Sequence, residues 1–404
     1  MRDEDFRPAE TLWTAGATHP AEHAADHTRG FQPAVSSDGR RSLRPGITRL
    51  ASVLHPTGIA QQNSGPVSGG GQHPSGAGRA DGGDIGAVGR SQHTGGPRFD
   101  CPVFSGGYAW WYVDALSEDG TQGLTLIAFV GSVFSPYYAW ARRSRTPQAE
   151  DHCAFNIALY GGANRWAMTE RGHSQVTRDA SILRIGPSSM RWTGQVLEMC
   201  VDEIGAPIPQ RIRGSIRLRP SILQQRSFAL DERGLHQWTP YAPCARIEVD
   251  LTHPRLRWQG VGYWDSNSGA EPLENAFQSW TWSRASWHDK TVVLYDLQSR
   301  RAPARSMALH FSADGSARDI ELPPAAALRT SGWRVPRSTR ADAGFAPSVQ
   351  KTFEDAPFYS RSLLDTHLLG EPVSAIHESL SLDRFASRWV QCLLPFRMPR
   401  VAGN

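Results

Sequence analysis

From Phe99 onward, short apolar-aromatic runs are separated by turn residues. Within several runs apolar and polar positions alternate with the period of two of a half-buried strand. Tyr108–Leu116 (YAWWYVDAL) leads through Ser117-Glu118-Asp119-Gly120 into Leu124–Val130 (LTLIAFV), which predicts a hairpin with aromatic strands. Cys153–Tyr160, Arg191–Val201, Gly214–Arg219 and Ala245–Leu251 read as further strands. Thr291–Leu297 and Met307–Phe311, then Ala313-Asp314-Gly315 and Ile320–Leu322, repeat the theme. Helical periodicity is weak, His377–Gln391 being the best candidate, and no 20–50-residue repeat is evident. Many short strands with regular turns predict an all-β barrel or sandwich with few short helices. Roughly 300 residues of this pattern exceed one small barrel, so two are expected.

The first 97 residues lack the pattern. No Phe, Trp or Tyr occurs between Phe31 and Phe99, and residues 61–100 hold 12 glycines. Such a stretch buries too little apolar surface to offset its ordering entropy, which predicts a disordered tail. An overextended gene start would look the same. The expected division is a tail over 1–97, a first barrel over 98–258, and a second barrel with a C-terminal segment over 259–404. Nothing resembles a secretory signal, and no apolar run approaches the ~20 residues that span a bilayer.

Composition narrows the chemistry. Among 404 residues, 43 basic and 39 acidic side chains leave a net charge of only +4, which argues against a nucleic-acid binder. Lys290 and Lys351 are the only lysines, and neither sits in a Gly-Lys-Ser/Thr loop. Cys101, Cys153, Cys200, Cys244 and Cys392 are odd in number and form no C-x-x-C pair, which speaks against a zinc ribbon or redox motif and for a reducing cytoplasm. G-x-S-x-G, H-E-x-x-H and the Rossmann fingerprint are absent; His377-Glu378 lacks the second histidine. The tail histidines fall at no regular metal-ligand spacing, so no metal is expected. Fourteen tryptophans point to thick β-cores or an aromatic-lined cavity.

Polar and aromatic residues are densest over 236–284. Residues two apart on a strand share a face, so His236 and Trp238 should point together, as should Tyr263 and Asp265. Each pair sets an acid-base group beside a π-face, as chemistry through a carbocation requires. Plainer readings stand beside this one. His236 could be a satisfied structural histidine. Asp265-Ser266-Asn267-Ser268-Gly269 could be an Asx-turn at a strand end; as a calcium loop its glycine comes one position early. Trp280 and Trp282 suit core or cavity lining. Asp114, inside an aromatic strand, is either a buried hydrogen-bonded acid, the favoured reading, or a second site carboxylate. No spacing pairs the acids as in a glycosidase.

The segments GGYAWWYVDALSEDG, GLTLIAFVGSVFSPYYAWAR, HQWTPYAPCARIEVDL, GVGYWDSNSGAEPLENAFQSWTWSRA and HESLSLDRFASRWVQCLLPFRMPR resemble the acyclic carotenoid hydratase (hydroxyneurosporene synthase) family. The resemblance runs from about Phe99 to Arg400 and leaves out the first 97 residues. It implies two lipocalin-like β-barrel domains. It also implies hydration of the terminal 1,2 double bond of an acyclic carotene, such as neurosporene or lycopene, to a tertiary alcohol without a cofactor. His236, Trp238, Tyr263 and Asp265 match the family's H-x-W and Y-x-D motifs, and the chemistry then assigns Asp265 as proton donor, because an apolar aromatic pocket raises a carboxyl pKa. Tyr263 and Trp238 would stabilise the cation or orient Asp265, and His236 would position water and take its proton; the roles of Asp265 and His236 could be exchanged. Trp280, Trp282, Trp111 and Tyr112 are the expected substrate-binding residues. A carotene must come from a membrane, so the resemblance implies peripheral attachment on the cytoplasmic side of the inner or an intracytoplasmic membrane. Phe134–Arg143 and Trp389–Arg400 are the candidate contacts, or else ordinary edges and caps of the barrels. On the same scaffold a non-catalytic carrier of an apolar ligand, or a cyclase or isomerase, are the alternatives.

Overall fold

A computed structural model of the protein describes residues 96–401, so the tail expected over 1–97 lies, but for its last two residues, outside the described residues. The first sheet uses β1 (Tyr108–Ser117), β2 (Gly123–Val130), β3 (Cys153–Tyr160), β4 (Arg165–Arg171), β5 (Val176–Arg178), β6 (Ile182–Ile185), β7 (Ser188–Trp192), β8 (Leu197–Ile204), β9 (Arg211–Pro220), β10 (Phe228–Ala229), β11 (His236–His253) and β12 (Leu256–Gly269). Its order is β4-β3-β2-β1-β12-β11-β9-β8-β7-β6-β5, with β10 paired to β11. The sheet curls until β4 meets β8, so it is nearly closed around one apolar core.

The second sheet follows with β13 (Phe277–Trp287), β14 (Lys290–Ser299), β15 (Arg305–Ser312), β16 (Ala317–Asp319), β19 (Ser348–Asp355), β20 (Tyr359–Leu368) and β21 (Glu371–Ser381), ordered β16-β15-β14-β13-β21-β20-β19. β17 (Ala325–Leu328) and β18 (Arg337–Arg340) form a separate two-stranded ribbon. Among the described residues the helices are few and short: α1 (Pro136–Ser144), α2 (Leu273–Ala276), α3 (Leu382–Ala386) and α4 (Arg388–Leu393).

The fold is thus all-β, as the alternation indicates. β12 straddles the position expected for the domain boundary, 258/259, yet pairs with β1 and β11 in the first sheet, and the chain changes sheet only between Gly269 and Phe277. Three local expectations are corrected. Arg191–Val201 is two strands, because Gly194 adopts φ +96° in a turn closed by Thr193 and Val196. Ile320–Leu322 lies just beyond β16 rather than in a strand. His377–Gln391 is not one helix: through Ser381 it is strand, because β13 and β20 flank β21 and satisfy its backbone groups. Only then come α3 and α4.

The position of the site follows from β1. Nearly every residue of that strand is buried, because both faces are covered. Trp111, Val113 and Ala115 point into the core enclosed by the first sheet. Tyr108, Trp110 and Tyr112 point the other way, into a second core. The second sheet supplies its opposite side, with Phe277, Trp280, Trp282, Tyr295 and Leu380. The aromatic layer between the sheets is where the acids of the site lie.

Candidate active site

Neighbouring strands β11 and β12 build the centre. Tyr263 and Asp265 share a face of β12, and the Tyr263 hydroxyl donates to Asp265 Oδ2 at 2.8 Å. Trp238 lies opposite Asn267 in the ladder, so Asp265 is its diagonal neighbour. Its indole N–H donates to the same Oδ2, also at 2.8 Å. Among the described residues Asp265 Oδ1 has no hydrogen-bond partner. The Asp265-to-Gly269 stretch is extended strand, so the Asx-turn reading is corrected: ladder bonds to β1 and β11 hold it straight.

Burial dominates the electrostatics. Asp265 is only 4% exposed. Removal from water pushes its pKa up to about 7, the two donated bonds pull the other way, and the charges of Glu378 and Asp114 raise it further. A carboxyl poised there holds a proton near neutral pH, as a general acid must. Aromatic rings enclose it. Tyr263 and Trp282 have centroids 5.3 Å apart, and Tyr112 and Trp282 5.7 Å. Tyr295 meets Trp238 edge-on at 5.6 Å.

Asp265, Trp238, Trp280, Trp282 and Tyr112 line one small pocket together with Trp110, Asn267, Tyr295 and Glu378. Trp110, Tyr112, Trp280 and Glu378 also border a larger apolar cavity of about 300 Å³. Phe129, Phe134, Phe358, Trp333, Leu393 and Arg397 also line that cavity. The apolar cavity thus adjoins the small polar pocket that holds Asp265, through the four shared residues.

Two expected residues stand apart. Trp111 packs on Phe99 at 5.1 Å in the other core, because adjacent strand residues face opposite ways. His236 shares the face of Trp238, yet it pairs across the ladder with Gly269 and borders neither cavity. It lies one side-chain repeat, roughly 7 Å, further along the strand. Its Nδ1 shares a hydrogen bond with the Tyr108 hydroxyl at 2.9 Å, and its backbone N–H donates to Asp231. Burial lowers its pKa against the opposing pull of Asp231 and Glu271. Gly269 permits this pair, since a Cβ there would come within 2.3 Å of the Tyr108 ring and 2.7 Å of His236 Nδ1.

Asp114 is the buried, hydrogen-bonded acid favoured from the sequence. Arg284 Nε donates to it at 2.9 Å, and Arg361 donates to its other oxygen. Glu378, Asn267, Tyr295 and Trp110 went unnamed as site residues. Asn267 was legible, being two further along the Tyr263-Asp265 face. Glu378 was not: it comes from β21, which only the packing of the second sheet brings to Asp265.

The family model described as carotenoid hydratase CrtC matches residues 126–404. The chain belongs to that family. The matched region begins at Leu126, later than the Phe99 suggested by the sequence blocks. An acyclic carotenoid 1,2-hydratase from Thiocapsa roseopersicina is 51% identical over 405 residues, covering 100% of both chains. One from Rubrivivax gelatinosus is 48% identical over 404 residues, covering 99% of this chain and 98% of its own. These alignments take in the first 97 residues, which the sequence blocks left aside. Among solved structures, kievitone hydratase from Nectria haematococca is similar with a TM-score of 0.44 and 11% identity, over 72% of this chain and 98% of its own. So loose a likeness carries no weight.

Proposed function

We propose that the protein adds water across the terminal 1,2 double bond of an acyclic carotene such as neurosporene or lycopene, giving a tertiary alcohol. The observation that carries this reading is Asp265: a carboxyl with pKa about 7, enclosed by aromatic rings in a small pocket that adjoins an apolar cavity. The chain end lies in the apolar cavity and reaches the adjoining pocket. Asp265 Oδ1 gives its proton to the less substituted alkene carbon, and a tertiary cation forms on the neighbouring carbon. The faces of Tyr112, Trp238, Trp282 and Tyr295 stabilise that cation. Water then forms the C–O bond and loses a proton. No step calls for a cofactor. The surroundings favour Asp265 over His236 as donor, since His236 is neutral near pH 7 and borders neither cavity.

The reading includes attachment to the cytoplasmic side of a membrane. Phe396, Trp389, Trp333 and Leu393 are exposed by 72%, 49%, 46% and 46%. Trp333 and Leu393 line the apolar cavity with Arg397, and Trp389 stacks on Trp333. Exposed aromatics with arginine suit a headgroup layer. Among the described residues no helix is long and apolar enough to cross a bilayer.

The test is to incubate the purified full chain with lycopene or neurosporene in detergent and oxygen-18 water, without added metal or nucleotide, and weigh the product. Gain of one labelled water supports hydration. Unchanged mass with a new retention time means a cyclase or isomerase, and bound but unaltered carotene means a carrier.

A further inference from the structure

We propose that Glu378 is the general base that takes the proton from the attacking water. This rests on the hydration reading above. The chemistry needs such a base, and His236, its expected source, stands outside the pocket. Of the residues lining the small pocket, Asp265 and Glu378 are the two acids. Glu378 also borders the apolar cavity, so it sits at the junction where the end of a substrate chain meets the small pocket.

Its hydrogen bonds keep it an acceptor. The Tyr112 hydroxyl donates to Oε1 at 2.8 Å, and Arg361 Nη1 donates to the same oxygen. Neither bond uses Oε2, and although Tyr359 adds a third donor to the carboxylate, two carboxylate oxygens offer about four acceptor sites, so one remains to receive a proton. Charge is balanced around it: Asp114 and Glu378 face Arg284 and Arg361 in one buried network. The groups facing Glu378 are Arg361, Tyr112, Asp114, Tyr359 and, across the pocket, Asp265. Burial raises its pKa above the usual glutamate value, which strengthens it as a base, while Arg361, Tyr112 and Tyr359 draw it back. Among the described residues no cation is hydrogen-bonded to Asp265, whose donors are Trp238 and Tyr263 and whose pKa stands at about 7. The two acids therefore differ as a donor and a base should.

The step balances. The π electrons of the alkene form a C–H bond with the Asp265 proton and leave aspartate. A lone pair of water forms the C–O bond at the cation, and one O–H bond breaks to give its proton to Glu378 Oε2. Transfer of that proton back to Asp265, directly or through solvent, restores both groups.

The experiment compares wild type, Glu378→Gln and Glu378→Ala as full chains, with lycopene in detergent. Quenching of tryptophan fluorescence by the carotene reports folding and binding. E378Q retains acceptors for Tyr112 and Arg361, so it should fold and bind; its hydration rate should fall at least ~100-fold. Wild type should give a bell-shaped pH profile of kcat/KM, and the residual activity of E378Q should lose the acidic limb and retain the alkaline one. Formate added to E378A should restore activity, a rescue that a purely structural role would not give. Hydration by E378Q within threefold of wild type, or an unchanged acidic limb, overturns the proposal. Bound carotene in E378A with no response to formate overturns it as well. If wild type itself adds no water, it is the hydration reading that fails.

Discussion

Trp238 Nε1 and Asp265 Oδ2 are joined by a 2.8 Å hydrogen bond running diagonally across the β11–β12 ladder. The bond favours the ionised carboxylate, so it opposes the burial that keeps Asp265 protonated. Trp238→Phe keeps a ring and removes the donor. The pKa of Asp265 should then rise by about one unit. The alkaline limb of kcat/KM should move to higher pH, and a pH–rate profile checks this. An unmoved limb would detach that limb from Asp265.

Asp265→Asn should abolish turnover while improving stability selectively. The pKa of Asp265 lies near 7 in the fold, against 3.8 ordinarily. Between those values the folded state holds a proton that the unfolded state has released, so stability falls as pH rises through that window. Asparagine has no such loss. Melting temperatures at pH 4 and pH 8 should show D265N gaining on wild type at the higher pH; an equal difference at both would contradict the buried neutral acid.

Trp110 and Trp111 are chain neighbours with different tasks. Trp111→Ala should cost about 3–5 kcal/mol in denaturant unfolding, leaving the KM of the folded enzyme unchanged. Trp110→Ala should raise KM for carotene, because Trp110 borders both cavities. Unfolding curves and kinetics on the two variants separate the effects.

Acid should weaken the second sheet through His377. Its ring is buried between Ser283, 2.7 Å from Nδ1, and Ser379, 3.0 Å from Nε2. Burial, with the Arg337 charge, pushes its pKa down to about 3 from 6.5. The unfolded chain binds a proton there that the fold refuses, so this part of the stability is full above 6.5 and is lost as pH falls toward 3. Within that window the folding equilibrium should drop by up to about tenfold per pH unit. His377→Gln should flatten this slope in urea titrations at pH 7 and pH 4.5.

The exposed Trp389 and Phe396 bear on substrate delivery. The double variant W389E/F396E should bind anionic vesicles at least ~10-fold more weakly in flotation. It should also turn over carotene slowly from vesicles yet normally from detergent. Equal loss in both media would make these residues part of the cavity rather than of a membrane contact.

The period of two in the sequence determined the all-β class. It also put Tyr263 with Asp265, and His236 with Trp238, on shared faces, because strand geometry is local and each residue sets its own direction. The same alternation separates Trp111 from Tyr112, but which of them meets substrate depends on which face of β1 the second sheet covers. That is a matter of packing between elements far apart in the chain. His236 shows the limit from another side: sharing a face with Trp238 did not bring it to Asp265, since the ladder register set it opposite Gly269 instead. Glu378 lies 113 positions beyond Asp265 and reaches the pocket only because β21 pairs with β13 and β20. The strands and their faces were written locally. The raised pKa of Asp265 and its juxtaposition with an arginine-paired Glu378 arose only when two sheets closed over the layer between them and excluded water from one acid while giving the other an arginine.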